Sequence, residues 1–452
     1  MKNGVKDLQL LERIWQAGIV GAGGAGFPTH KKLVKGVKLL LVNAAECEPL
    51  LSSDRFVMRQ FSRDIISALC HIRRELEIPR VVIGTKAKYT QEIAALQQAI
   101  DERGADIEIH RSGSYYPAGD EQILIYEVTG QTVPPGGIPL DLGIVVSNIT
   151  TVWHIHQALQ GKPITDKFIT VTGAVAHPVI LRVPVGTPVR DCIAAAGGAT
   201  VPEYIVMKGG PMMGKKYTAS QLDHLHILKC DGGLVVLEKG HYLDVFSNVP
   251  MEHIINQAKS VCIQCSYCTE LCPRYLIGHK MRPHRVMRSI ATGTQPKDLE
   301  DALLCCECGV CELYACPMHL SPRRVNIYVK NLLRQGGAKV RDKTVDPRQS
   351  HMRAYRQIEQ GRLMQRLDLL SYPRQVLEQE EYQPTSVSIA LRHGIGKEAR
   401  PIVAVGDKVQ KGQCIATVEF ADVGSNLHAS IDGTVTSLDG CIQILADGGK
   451  AL

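Results

Sequence analysis

The sequence predicts a multidomain chain of class α/β plus β, and three observations lead there. Over residues 1–160, apolar strand-like runs alternate with helical periodicity, the pattern of a layered α/β domain. Two later stretches, 165–248 and 384–452, consist of short alternating runs separated by glycine-rich turns, as small β domains do. Between them, residues 262–317 hold two dense cysteine runs. A chain of 452 residues has room for about three to four such domains.

Composition narrows the function classes. No run of about 18 apolar residues occurs, so no membrane span is expected. The opening stretch MKNGVKDLQLLERIWQAG lacks the apolar centre of a signal peptide, and most cysteines outside the dense runs are scattered singly. Both point to a reducing cytoplasm. Aromatic residues make up 5%, too few for a surface that stacks nucleic-acid bases. The net charge is +7, and residues 321–367 alone carry twelve Lys and Arg against three Asp and Glu. That segment is either a solvated helical face or a dock for an acidic partner or anionic substrate.

In chain order, residues 5–17 read as an amphipathic helix with Val5, Leu8, Leu11, Ile14 and Trp15 on one side. The loop GAGGAGFPTHKK follows, residues 21–32. Its glycines Gly21, Gly23, Gly24 and Gly26 let backbone N–H groups approach an anion, and a following lysine could pair with a phosphate. It is not a Walker loop, and alone it is a weak signal. The strand at 37–42 ends in NAAECEP, residues 43–49. Polar groups at the carboxyl end of a buried strand lie where ligands bind in open α/β sheets. A helix is expected at 54–76, a strand at 80–84, and a helix at 89–103. A polar turn, YPAGDE at 116–121, precedes another helix. A strand at 142–147 ends in SNITT, with a helix from near Val152; Asn and Thr there could be ordinary caps. In 165–248, FITVTGAV and YIVMKGG bracket a short helix at 189–196.

The first cysteine run is Cys262, Cys265, Cys268, Cys272, Pro273; the second is Cys305, Cys308, Cys311, Cys316, Pro317. The spacing resembles that by which bacterial ferredoxins hold [4Fe–4S] clusters, where the cysteine before proline serves the other cluster. One cluster is therefore assigned Cys262, Cys265, Cys268 and Cys316, the other Cys305, Cys308, Cys311 and Cys272. Cys306 is expected not to be a ligand. Structural zinc would ordinarily use two separated C-x2-C pairs, and disulfides would need an oxidising compartment. The 32 residues from 273 to 304, with a helix at 283–291, point to a mostly helical module over 250–380, with further helices at 323–335 and 346–370.

Four segments, GAGGAGFPTHKK, NAAECEP, YPAGDE and SNITT, stand in the order and spacing of the flavin-binding subunit of respiratory complex I, and the match spans residues 15–155. They are similar to the C subunit of the Rnf complex as well. The resemblance implies FMN at Gly21, Gly23, Gly24, Gly26, Lys32, Asn43, Glu46, Tyr116, Gly119, Glu121, Asn148 and Thr151. Lys32 would neutralise the flavin phosphate, and Phe27 and Glu48 would face NADH. The sequence departs from complex I at Ala22 and Ala45, where arginine and aspartate are usual. Residues 165–248, with GGPMMG at 209–214, resemble the soluble-ligand-binding β-grasp (SLBB) module of both families.

Residues 384–452 resemble the barrel-sandwich hybrid of biotinyl and lipoyl carriers, but the tip stretch GSNLH at 424–428 has no lysine, so a swinging arm is excluded; His428 is expected on the surface or packed. Module order then decides: flavin domain, β-grasp, two cubanes, sandwich resembles the cobalamin reductases of propanediol-utilisation microcompartments over essentially the full length. That resemblance implies an oxidoreductase passing single electrons from NAD(P)H, through FMN and two [4Fe–4S] clusters, to cobalamin. It implies partners among the cobalamin adenosyltransferase and microcompartment shell proteins. The rival reading is an Rnf C-like electron-transfer subunit of a larger complex; a further one is an assembly protein whose clusters only hold its fold.

Overall fold

The computed structural model describes residues 4–293 and 296–447. The first domain opens with helix α1, Gly4–Gln16, which buries Leu10 and Ile14; Val5 and Leu8, expected on the same side, lie outside the residues whose side chains are described. Strands β1 (Leu39–Ala44), β2 (Arg80–Lys86), β3 (Glu108–Ser112) and β4 (Ile144–Asn148) form one parallel sheet in the order β3-β2-β1-β4. Strand alternation sorts the side chains. Leu40, Val42, Val81 and Ile83 enter one core with α1, and Leu39, Leu41, Val82 and Val146 enter another under the helix Glu121–Thr129. Both faces are covered, which is why these strands read as unbroken apolar runs.

The chain order creates a switch. From β1 the chain moves outward to β2 and β3, then returns to pair β4 on the other side of β1. The connections leaving β1 and β4 therefore diverge, opening a crevice at their carboxyl ends.

The helix expected over 54–76 is two helices, Ser53–Gln60 and Ser62–Glu75. Phe61 leaves the helical path and stacks on Trp153, ring centroids 4.7 Å apart. The helix expected from Val152 starts earlier, as Ile149–Leu159, because the Asn148 side chain caps it by accepting from the Thr150 and Thr151 N–H groups.

A six-stranded mixed sheet follows, built on Asp166–Gly173, Val179–Pro184, Tyr204–Lys208, Lys215–Thr218 and Gly233–Glu238, and it wraps the helix Val189–Ala195. Its last strand, Gln379–Glu381, comes from beyond the cysteine region. That region is mostly helical: Met251–Val261, Pro283–Thr292 and Pro322–Gln335 pack through Ile254, Val286, Met287, Val325 and Val329.

The single helix expected over 346–370 does not form. A 3-10 stretch, Pro347–Tyr355, is followed by Ile358–Glu359, which pairs antiparallel with Tyr115–Tyr116, and then by the helix Gln360–Arg366. Glu359 caps that helix by accepting from Arg362 N at 2.9 Å. A long-range strand pairing has overridden helical periodicity here.

Residues 386–446 form sheets of four and three strands around a core of Ile389, Ile415, Leu427, Val435 and Ile444. This unit sits on the first domain. Trp15 Nε1 donates to Val418 O at 3.0 Å, and Asn426 Nδ2 donates to Trp15 O at 3.2 Å. Fully buried Lys229 donates from Nζ to Gly18 O and Asn426 O, at 2.8 and 2.7 Å, joining three domains at one atom. Burial holds its amine down to about 7. His428 is buried in this unit.

Candidate functional site

The crevice between β1 and β4 gathers the four sequence segments. Ala22 N donates to Thr151 Oγ1 at 2.9 Å, tying the glycine loop to SNITT. Asn43 Nδ2 donates to Gly119 O at 2.8 Å, tying NAAECEP to YPAGDE. Lys32 pairs with Glu121 at 3.0 Å, and Gly21 N donates to Phe27 O at 2.9 Å within the loop. A Cβ at Gly119 would lie 2.4 Å from Ala45 O, so only glycine fits that crossing. Gly23 and Gly24 are exposed, and a Cβ at Gly24, whose φ is +116°, would meet nothing within 4 Å. This bare backbone lies beside the capped N-terminus of the helix Ile149–Leu159, and helix N-termini attract anions.

Beneath the crevice lies an acid that sequence reasoning missed. Asp54 is buried and accepts from Asn148 Nδ2 at 2.7 Å and from Thr150 Oγ1 at 2.6 Å. It fixes the amide orientation of Asn148. Loss of water raises its pKa. Glu46 is pushed up to about 7 by the same loss of water and then by the Asp54 charge. Fully buried Lys86, at the carboxyl end of β2, is lowered to about 8 by burial.

The cysteines gather into two chambers. One is lined by Cys272, Cys305, Cys306, Cys308 and Cys311. The other is lined by Cys262, Cys265, Cys268 and Cys316. The two loops share a backbone solution. Gln264 (φ 56°) and Ser266 (φ 63°) are left-handed in the first run, as are Glu307 (φ 64°) and Gly309 (φ 82°) in the second. These stand two and four positions after Cys262 and after Cys305. Left-handed residues at such intervals curl a short loop so that its N–H groups turn inward. Glu307 N lies 3.4 Å from Cys305 Sγ, and Leu320 N lies 3.3 Å from Cys316 Sγ. N–H groups aimed at thiolates are what cluster ligands receive. Among the described residues no group of three or more His, Cys, Asp or Glu side chains is set to hold a metal ion by itself. Each chamber joins three cysteines of one run to the cysteine before proline of the other, the donor set of a [4Fe–4S] cluster.

One chamber is wired to the crevice. Buried Tyr116 donates its hydroxyl to Cys308 O at 2.7 Å. Arg274, next after Cys272 and Pro273, donates to Asp120 Oδ2 at 2.8 Å, and its guanidinium also meets the Cys306 thiol. That thiol is drawn down to about 7, first by a hydrogen bond from Cys308 and then by Arg274. Glu48 is buried against the 209–214 loop and accepts from Met212 N and Met213 N, each at 2.9 Å; burial raises it to about 8. Arg323, which lines the same chamber, donates to Met212 O at 2.9 Å. The other chamber opens outward: Ile263 on its rim is 61% exposed and Met318 37%. Asp54 and Arg274 escaped sequence reasoning because an isolated charge carries no spacing signal.

Comparison with known proteins agrees with this division. Residues 14–157 match the Nuo51 FMN-binding domain, 168–216 the SLBB domain, 261–321 the 4Fe-4S dicluster domain and 373–451 the RnfC barrel sandwich hybrid domain. Cobalamin reductase PduS of Salmonella typhimurium (strain LT2) is 40% identical over 434 residues, covering 95% of this chain and 94% of the relative. PduS of Citrobacter freundii is 40% identical over 431 residues, 94% of each chain. The C subunit of the ion-translocating oxidoreductase complex of Erwinia tasmaniensis is 32% identical over 282 residues, 61% of this chain and 33% of the relative. Among solved structures, a chain of an NAD+-reducing [NiFe]-hydrogenase in the H2-reduced state shares the fold with a TM-score of 0.51, at 18% identity, covering 76% of this chain and 69% of that one. Among the described residues no helix is long and apolar enough to cross a membrane.

Proposed function

The chain belongs to the family of the cobalamin reductases PduS, and from that premise we propose that it carries electrons from NADH to cobalamin by way of a flavin site and two cluster sites in series. It is a flavin and iron–sulfur oxidoreductase, with FMN and two [4Fe–4S] clusters as cofactors. When bound, these groups accept a hydride's two electrons and pass them on singly, to take cob(III)alamin to cob(II)alamin and on to cob(I)alamin. The setting proposed is coenzyme B12 recycling during 1,2-propanediol degradation inside a cytoplasmic microcompartment. The cobalamin adenosyltransferase and shell proteins are the proposed partners.

The chain's own residues have distinct parts. Gly23 and Gly24 leave bare backbone for the flavin, and Lys32 supplies charge for its phosphate. Asn43, Tyr116, Gly119, Glu121, Asn148 and Thr151 frame it, with Gly21 and Gly26 shaping the loop; Phe27 belongs to the nicotinamide side, whereas Glu48, expected there too, is buried with both carboxylate oxygens on the Met212 and Met213 N–H groups. Glu46, held near neutrality, can keep or release a proton at its carboxyl group. Cys262, Cys265, Cys268 and Cys316 would hold the outer cluster, and Cys272, Cys305, Cys308 and Cys311 the inner one. The matched left-handed residues favour Cys305 over Cys306, because only Cys305 repeats the interval seen at Cys262.

The observation that carries this reading is the pair of buried bonds, Tyr116 to Cys308 O and Arg274 to Asp120, that ties the crevice to one chamber while the other faces outward. Anaerobically purified chain should hold about eight irons, four per cluster, and release FMN. NADH should bleach the flavin, and cob(III)alamin should then be reduced. Released FAD, or no flavin, counts against the flavin reading. The 32% identity to the Erwinia tasmaniensis protein favours one alternative, a shuttle with another acceptor. Dye reduction without cobalamin reduction would select it. Failure of NADH to reduce either would point to an assembly role.

A further inference from the structure

Arg274 has no place yet in electron transfer, and its surroundings are unusual. It directly follows the Cys272-Pro273 end of the first cysteine run and is 9% exposed. Its guanidinium spans two domains. One nitrogen donates to Asp120 of YPAGDE, the turn that also carries Tyr116, and the group also meets the Cys306 thiol on the chamber wall. Its Nε is buried with no partner. A guanidinium cannot shed its proton in a protein, so this is a fixed positive charge in a poorly screened place. The outer chamber is walled differently: its basic wall residue is His284, with Arg282, Arg285 and Arg288 beyond it. Among the described residues no Arg, Lys, Asp or Glu lines it.

We propose that Arg274, clamped by Asp120, is the residue that sets the inner cluster's affinity for an electron, so that electrons leaving the flavin enter there first. This rests on the two-cluster reading above. The physical reason is charge. Reduction adds one electron and no proton, and makes the cluster more negative. A fixed cation beside it favours that state, while the paired carboxylate of Asp120 limits the effect. Arg274 is thus a positioning residue acting through the cluster's surroundings, not a ligand. The proposal makes opposite predictions for its two partners. Removing the cation should make the cluster harder to reduce, and removing the carboxylate should make it easier.

The test is a potentiometric titration of the full-length holoprotein followed by electron paramagnetic resonance. Cys265→Ala provides a background in which only the inner signal remains. Arg274→Met should disfavour inner-cluster reduction by more than tenfold, a downward shift beyond 59 mV for a one-electron couple. Arg274→Lys should restore most of the loss. Asp120→Asn, which can still cap the helix Glu121–Thr129, should shift the potential upward. The FMN content should not change, and neither should the outer signal when Arg274→Met and Asp120→Asn are made in the parent chain. If Arg274→Met fails to assemble its cluster, Asp120→Asn decides by the sign of its shift. An unmoved inner potential in both variants, or a downward shift in Asp120→Asn, overturns the proposal. An inner signal missing from the parent chain removes the two-cluster reading and this inference together.

Discussion

The two cysteine chambers are built on one backbone plan and placed in opposite surroundings. Each uses left-handed residues two and four positions after its first cysteine, and each borrows a wall cysteine from the other run. Around the inner chamber, cations crowd in: buried Arg274, half-buried Arg323, and buried Lys330, whose Nζ donates to Cys305 O at 2.7 Å. The outer one is walled mainly by uncharged groups such as Ile263 and Met318, with the imidazole of His284 among them and Arg282, Arg285 and Arg288 beyond it. Identical grips thus leave the surroundings to decide the role. A cluster's potential follows charge, hydrogen bonds to sulfur and exposure, and the charge nearby and the exposure differ here. On the proposal above, the inner chamber receives electrons and the outer hands them on.

Breaking one chamber at a time tests this most severely. Cys308→Ala should abolish the inner cluster signal and slow cobalamin reduction by far more than tenfold, with NADH bleaching of the flavin intact. Cys265→Ala should slow cobalamin reduction comparably but spare the inner signal. Spectra and stopped-flow traces read both, and a cobalamin rate unchanged by either loss would mean that flavin alone delivers the electrons.

The next effect concerns Glu48, which stands behind the inner chamber. Its native pKa of about 8 lies above the unfolded value near 4.5, so the native state keeps a proton that the unfolded chain has lost. Its stability contribution is fully present below pH 4.5 and is lost as pH rises through about 8. Within that window the slope approaches about 1.4 kcal/mol per pH unit for one proton. Urea unfolding of Glu48→Gln at several pH values should show a flatter profile than the parent.

Tyr116→Phe sharpens the contrast further. It leaves the Cys308 carbonyl buried without its donor, at a cost of about 1–3 kcal/mol. Flavin-to-cluster transfer should slow, while the outer signal stays unmoved. The smallest effect lies in the loops themselves. Ser266→Gly should stabilise the outer loop by about 1 kcal/mol, because glycine adopts φ of 63° freely. Gly309→Ala should destabilise the inner loop by a similar amount, since its φ is 82° and the added Cβ would lie 3.4 Å from Leu313, Met212 and the Met212 carbonyl. Thermal melts of the holoprotein distinguish the two signs.

Much of this was readable from the chain because it is written in local rhythm. The x2 spacing of the cysteines, the apolar strands ending in polar residues, and the glycine loop each occupy a few consecutive positions. What escaped was decided at long range. Asp54 sits at the start of a helix, where an acid looks like an ordinary capping residue, yet it holds Asn148 from below. The stretch 346–370 has helical periodicity, but Ile358 and Glu359 found strand partners in Tyr116 and Tyr115. Glu48 met its partners, Met212 and Met213, in another domain. Sequence spacing gives no sign of such encounters.

The seat of the C-terminal sandwich on the glycine loop has a consequence in time. Ile395 N donates to Ala25 O at 3.1 Å, and a Cβ at Gly26 would lie 2.7 Å from Gly394 Cα, so two glycines meet backbone to backbone. The bond from Trp15 to Val418 joins positions 403 residues apart. At roughly 5–20 residues per second, a ribosome needs on the order of 20–80 seconds to make that interval. Throughout it, the flavin loop exists without its cover. The loop should therefore reach its finished shape only after residue 426 has emerged and returned, and a chain stalled before then should trap flavin weakly. Loading of the flavin, on this view, is timed by the arrival of the last domain rather than by the folding of the first.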